Sequence, residues 1–237
     1  MKSILAILLF ISVPFFAEAQ FGKILDKAKE QVGIGEDDIS GGLKEALEKG
    51  AGRASETLSI EDGFYKSVYK ITLPEEAQRV VKQLSGMPGF RNLEEDLVER
   101  INRAAELAAN KAKPIFVDAI KAMSIRDATH ILMGEDDAAT QYLHRNTHDR
   151  LFAEFLPVIQ SALDEVNAIE LWESATTAYN RIPMVRKVET RLDDHVTRKA
   201  LEGLFDLVAV EELKIRTDVS ARTSSRLREV FAKQDKK

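Results

Sequence analysis

The sequence contains no cysteine among its 237 residues. This absence excludes disulfide bonds, thiol catalysis, cysteine-ligated metal sites and a lipid-modified cysteine at a mature N-terminus. Stability must therefore come from a packed core. The composition, 44% apolar and 31% charged, is that of an ordinary globular protein and allows such a core.

Long apolar runs are also missing, apart from one at the N-terminus. Lys2 precedes an apolar stretch from Ile4 to Phe16, which is followed by the small-residue triplet Ala17-Glu18-Ala19. This is the layout of a cleavable signal peptide, and the stretch is shorter than the roughly 20 residues that span a bilayer. We predict cleavage after Ala19, export to the periplasm or beyond the cell, and no transmembrane segment in the mature chain, which would begin at Gln20.

The charges show no strong imbalance, since the formal net charge is −5 at pH 7. Nothing in this value favours nucleic acid or anionic lipid as a partner. Basic residues outnumber acidic ones near the C-terminus, and we interpret them as a solvated helix face instead of a nucleic-acid site. They are Arg222, Arg226, Arg228, Lys233, Lys236 and Lys237.

Motifs for serine nucleophiles, phosphate-binding loops and dinucleotide binding are absent, so the sequence predicts no cofactor. His144 and His148 are four residues apart and would share one face of a helix, as in two-histidine metal sites. A metal needs a third ligand, for which Asp136, Asp137, His130 and His195 are available but not placed by the sequence. The position of the pair along an apolar stripe favours partly buried, hydrogen-bonded imidazoles. A metal-dependent hydrolase using this pair remains an alternative.

Apolar residues recur at helical spacing along most of the chain, which predicts an all-α fold with a single bundle-like domain of many helices. One short extended segment is expected at 68–73. The predicted organisation is a cleavable signal peptide at 1–19, a flexible tether at 20–42, the helical domain at 43–232 and a disordered basic tail at 233–237.

Proline, glycine and capping residues set the expected helix boundaries. Pro114 should kink or divide the longest helix. Ser124 and Asp127 resemble a capping box at the start of a short helix that ends at Gly134. The other helices are expected at about 43–58, 74–85, 92–123, 136–166, 169–179, 194–215 and 223–232.

Several short stretches, each weak alone, occur in register between Gly42 and Phe231. They are Gly42-Leu43-Lys44-Glu45-Ala46-Leu47, Asp62-Gly63-Phe64-Tyr65, Lys70-Ile71-Thr72-Leu73-Pro74, Asn102-Arg103-Ala104-Ala105-Glu106, Met123-Ser124-Ile125-Arg126-Asp127-Ala128, Gly134 with Asp136-Asp137-Ala138-Ala139-Thr140, and Glu211-Glu212 to Arg216 with Arg222-Thr223 and Val230-Phe231. Together they resemble the bacterial domain of unknown function 4197 family. The resemblance implies an exported helical protein without an assigned activity, and it carries over no catalytic residue.

Polar residues on the predicted helices are candidates for a buried network that specifies packing or lines a pocket. They are Asn102, Glu106, Asp127, Thr140, Thr147, Glu212 and Arg216. The leading interpretation is a non-enzymatic binding or structural protein with an unknown envelope partner. A further alternative is a carrier that holds a small apolar ligand between the stripes Ala104 to Ala112 and Phe152 to Ile159.

Overall fold

The computed structural model describes residues 36–189 and 191–232, which form α-helices joined by turns, with no β-strand among them. The all-α prediction is therefore confirmed. The predicted signal peptide and basic tail lie outside the described residues. The helices are α1 (Glu36–Ser59), α2 (Glu75–Leu84), α3 (Leu93–Ala109), α4 (Ala112–Ala122), α5 (Ile125–Met133), α6 (Ala138–Glu165), α7 (Ala168–Asn180), α8 (Leu192–Thr217) and α9 (Ser225–Phe231), with a 3-10 turn at Val219–Ala221.

Helix α1 begins at Glu36 and thus well before the predicted start at Leu43. Gly41 and Gly42, expected in a flexible tether, lie inside this helix, where α9 packs closely against them. A Cβ atom on Gly42 would lie 2.6 Å from Val230 Cγ2. The tether prediction is corrected for residues 36–42, because helix packing outweighs the weak helix propensity of glycine. The remainder of the predicted tether lies outside the described residues.

The predicted long helix at 92–123 is divided into α3 and α4, as the proline suggested. The break lies at Asn110 and Lys111, ahead of Pro114, which occupies the first turn of α4. The first turn of a helix tolerates proline because its backbone N–H groups have no partner within the helix. By contrast, α6 continues through Pro157.

Residues 70–74 form the expected extended segment, although the turn before it includes Val68 and Tyr69. Ile71 and Leu73 are buried while Lys70 and Thr72 are exposed, the alternation of an extended chain with one face on a core. The side chains of neighbouring helices, instead of a second strand, satisfy part of its backbone.

The core forms where α6 and α8 pack along each other, with α1 and α3 against them. Ala104, Ala108 and Ala112 are fully or almost fully buried, as are Phe155 and Ile159 on α6. The two stripes proposed to hold an apolar ligand are thus occupied by direct helix packing between α3 and α6. Within the described part of the chain, no helix has the length and apolar character needed to cross a membrane.

Candidate functional site

Five of the seven candidate network residues form two separate clusters instead of one network. Asn102 and Glu106 lie on α3 and bind the turn and extended segment at 60–71, and we call them, with Arg103, the α3 cluster. Thr140, Glu212 and Arg216 meet where α5, α6 and α8 converge, and we call them, with Arg222, the α8 cluster. The other two candidates belong to neither cluster.

In the α3 cluster, the Asn102 side chain binds the extended segment as a neighbouring strand would. Its Oδ1 accepts the Ile71 N–H at 2.8 Å, and its Nδ2 donates to the Ile71 carbonyl at 2.8 Å and to the Val98 carbonyl at 2.6 Å. Asn102 is fully buried. One amide therefore satisfies both backbone groups of a buried residue that has no sheet around it.

Glu106 fastens the turn that precedes this segment. Its Oε1 accepts the backbone N–H groups of Phe64 and Tyr65, both at 3.1 Å, and Arg103 donates to its Oε2 at 2.9 Å. Arg103 also binds Asp62 at 2.8 Å. Burial alone would lower the pKa of Arg103, but the hydrogen bonds to Glu106 and Asp62 raise it above its ordinary value, so the guanidinium stays charged.

In the α8 cluster, Glu212 caps the start of α6 from a different helix. One carboxylate oxygen accepts the Ala139 N–H at 2.9 Å, and the other accepts the N–H and the hydroxyl of Thr140, each at 2.8 Å. Arg216 donates to the first of these oxygens at 2.8 Å and 3.0 Å. Glu212 thus combines an ion pair with the role of a helix cap.

Arginines of the same cluster bind the carbonyl ends of two helices. Arg216 donates to the Ile131 carbonyl of α5 at 2.8 Å, and Arg222 donates to the Ile215 and Arg216 carbonyls of α8 at 2.9 Å and 2.8 Å. Arg222 is only 2% exposed, so its assignment to a solvated face was wrong. A basic residue next to the C-terminal end of a helix is the sequence signal that could have identified Arg222.

Asp127 and Thr147 act locally. Asp127 is half-buried and completes the predicted capping box with Ser124, which is confirmed. The hydrogen bond from the Ser124 hydroxyl lowers the pKa of Asp127. Thr147 is buried, but its hydroxyl donates to the Leu143 carbonyl of its own helix at 2.6 Å. Neither residue joins the long helices, so both are removed from the network.

The buried polar atoms of the two clusters all have hydrogen-bond partners, and this decides what the clusters can do chemically. Every buried side-chain nitrogen or oxygen in the described residues has a hydrogen-bond partner. The carboxylate oxygens of Glu106 and Glu212 accept hydrogen bonds from backbone N–H groups and arginines, so neither carboxylate is open toward a reacting group. These clusters hold turns and helix ends in place.

The histidine pair lies on α6, outside both clusters. His144 is exposed and His148 half-buried, so the expectation of partly buried imidazoles applies to His148 alone. His148 Nδ1 lies 3.1 Å from an Asp149 carboxylate oxygen, and the two imidazole ring centroids are 4.9 Å apart. Among the described residues, no three histidine or acidic side chains lie close enough together to hold a metal ion.

A groove of about 510 Å³ runs beside the extended segment, between that segment and the start of α3. Arg91, Glu94 and Glu95 line it and are exposed, with no hydrogen-bond or ion-pair partner in the described residues. Lys70 lines it as well, its ammonium 4.6 Å from the centre of the Tyr65 ring. The groove is thus polar and carries both signs of charge.

Fold and clusters together define a class of protein: an all-α, cysteine-free helical domain whose buried charges cap helices and fasten an extended segment. The chain belongs to the family described as Protein of unknown function (DUF4197), which matches residues 33–232. This confirms the resemblance found in the sequence. No curated protein and no solved structure matches the chain.

Proposed function

We propose that this protein is an exported, non-enzymatic binding or structural protein of the cell envelope. The observation that carries the proposal is that the buried carboxylates and guanidinium groups of the two clusters are bound to backbone groups or to other members of their cluster. An acid or base in catalysis needs an open position toward its substrate. The two clusters instead make a rigid support.

Export is supported by the N-terminal sequence, with its basic residue, apolar stretch and Ala17-Glu18-Ala19 triplet. Expression of the full chain in a bacterial host, followed by fractionation and N-terminal sequencing, tests it. We expect a product that starts at Gln20 and leaves the cytosol. An uncleaved chain that remains in the cytosol would contradict export.

We place the partner contact at the groove beside the extended segment. Asn102 and Glu106 fix one wall of this groove, so little order has to be gained on binding. The unpartnered charges of Arg91, Glu94 and Glu95 offer ion pairs to a partner that carries both signs of charge. An envelope protein with an exposed polar segment fits this description better than a small apolar ligand does.

Affinity capture from the native envelope tests this placement. Tagged mature protein should retain a specific protein, and Arg91→Glu should release it through charge reversal in the groove. Arg145→Glu makes the same charge change on an exposed α6 residue outside the groove and should have no effect. Equal retention by both variants would contradict the groove assignment.

The non-enzymatic part of the proposal has its own test. Purified mature protein is assayed against a panel of ester, phosphoester, peptide and glycoside substrates. We expect no turnover above a buffer control. Turnover that disappears in Glu212→Gln, while the circular dichroism spectrum is retained, would show that the carboxylate is catalytic and would refute the proposal.

A further inference from the structure

A second groove, of about 290 Å³, lies between α6 and α8, and its residues serve none of the roles described above. His144 and His148 line it from α6, while Phe205 and Asp206 line it from α8. Asp206 is exposed and has no hydrogen-bond or ion-pair partner in the described residues. The groove therefore places two imidazoles in a lining that also holds the carboxylates of Asp206 and Glu202 and the guanidinium of Arg198.

Phe205 forms a floor beneath the two imidazole rings. Its ring centroid lies 4.6 Å from that of His144 and 6.4 Å from that of His148. Phe205 itself packs edge-on against Phe116 of the core, with centroids 5.7 Å apart. Because this floor is anchored in the core, the rings have fewer accessible orientations than imidazoles on an open helix face.

The ring nitrogens that a ligand would need are available. The Asp149 carboxylate at 3.1 Å from His148 Nδ1 favours the proton on that nitrogen and leaves Nε2 as an acceptor. His144 has no hydrogen-bond partner in the described residues, so its nitrogens are free. The ring centroids lie 4.9 Å apart, so two rings at this separation can each turn one nitrogen toward a common point.

We propose that His144 and His148 together bind one divalent late transition metal ion, with water at the remaining positions. Two histidines four residues apart on a helix are a recurring metal-binding pair, and imidazole nitrogen suits Cu²⁺, Ni²⁺ and Zn²⁺. The nearby Asp206 carboxylate adds a favourable charge. Since no third protein ligand among the described residues lies within reach, the site binds its ion exchangeably and lacks the closed ligand set of a structural zinc site.

The test uses untagged mature protein titrated with Cu²⁺, which binds most tightly in the usual order of divalent ions. Calorimetry should show one site of higher affinity than the rest of the chain, and electron paramagnetic resonance should show coordination by two nitrogens. His144→Asn and His148→Asn should each weaken this site at least about tenfold, because each removes the effective concentration that the second ligand supplies.

His130→Asn is the matched control, since it removes an exposed histidine of α5 that lies outside the groove. It should leave the high-affinity site unchanged. Binding to the wild type that is no tighter than binding to the His144→Asn/His148→Asn double variant would overturn the proposal. Equal losses in the control and the two single variants would overturn it as well, because binding would then be spread over the surface.

Discussion

Replacing Glu212 by alanine tests the structural role of the α8 cluster most directly. The substitution leaves the Arg216 guanidinium buried without its counter-charge, and it removes the acceptor for the backbone N–H groups of Ala139 and Thr140. Both partners of the ion pair are almost fully buried, at 5% side-chain exposure each. Solvent therefore screens the pair little.

The expected loss is large for a single substitution. Breaking a buried ion pair by removing one partner costs about 3–5 kcal/mol, and loss of a helix cap alone costs about 0.5–2 kcal/mol. The two effects share the same oxygens and do not simply add, so we expect the free energy of unfolding to fall by about 3–5 kcal/mol. Urea denaturation followed by circular dichroism measures it.

Two further variants separate the ion pair from general damage. Glu202→Ala breaks an exposed ion pair with Lys199 on the same helix and should cost at most about 1 kcal/mol. Glu212→Leu combined with Arg216→Met removes both charges and should be less destabilised than Glu212→Ala. A loss below about 1 kcal/mol for Glu212→Ala would refute the argument that this cluster holds α5, α6 and α8 together.

The remaining predictions concern the turn and extended segment and the capping box. Asn102→Ala leaves the buried N–H and carbonyl of Ile71 unpaired and should lower the free energy of unfolding by about 2–4 kcal/mol. Amide hydrogen exchange at residues 70–73 should become faster by more than this loss of global stability explains. Gly63→Ala should lower the free energy of unfolding, measured by urea denaturation, by about 1–3 kcal/mol, because a Cβ there would lie 2.5 Å from the Thr57 carbonyl oxygen. Gly86→Ala is the control: this position has open space around it, so the free energy of unfolding should change by less than about 0.5 kcal/mol. Because the pKa of Asp127 is lowered in the folded protein, its contribution to the free energy of unfolding is present above the unfolded pKa of about 3.9 and is lost as the pH falls toward the folded pKa. Asp127→Asn should remove that part of the pH dependence of stability. An acid unfolding curve that is the same for the variant and the wild type would contradict this prediction.

Local patterns predicted most of the helices and their ends. The capping box at Ser124, the stop at Gly134 and the helix start predicted at Pro74, one residue before the observed start, all depend on residues within one turn of the helix end, so the sequence alone indicates them. The start of α1 was missed because Gly41 and Gly42 suggest a break. Only the packing of α9 shows why glycines are needed inside that helix.

The candidate network shows where sequence reasoning ends. Glu212 and Arg216 were both candidates from the sequence, and they form an ion pair because they are four residues apart on one helix, which is a local fact. It did not show that Asn102 binds an extended segment, that Asp127 caps its own helix without joining the other candidates, or that Arg222 is buried. Each of these outcomes depends on which other segment arrives next to the side chain.

The sequence by itself determined an all-helical, disulfide-free domain, because helical periodicity and capping are properties of neighbouring residues. The tertiary structure alone decided which partners the buried charges meet. Glu212 accepts the backbone N–H of Ala139 at the start of α6, and these two residues are 73 positions apart in the chain. It also decided that Phe205 lies beneath the histidine pair on another helix. Such pairings arise from the packing of whole helices, and no short-range pattern in the sequence records them.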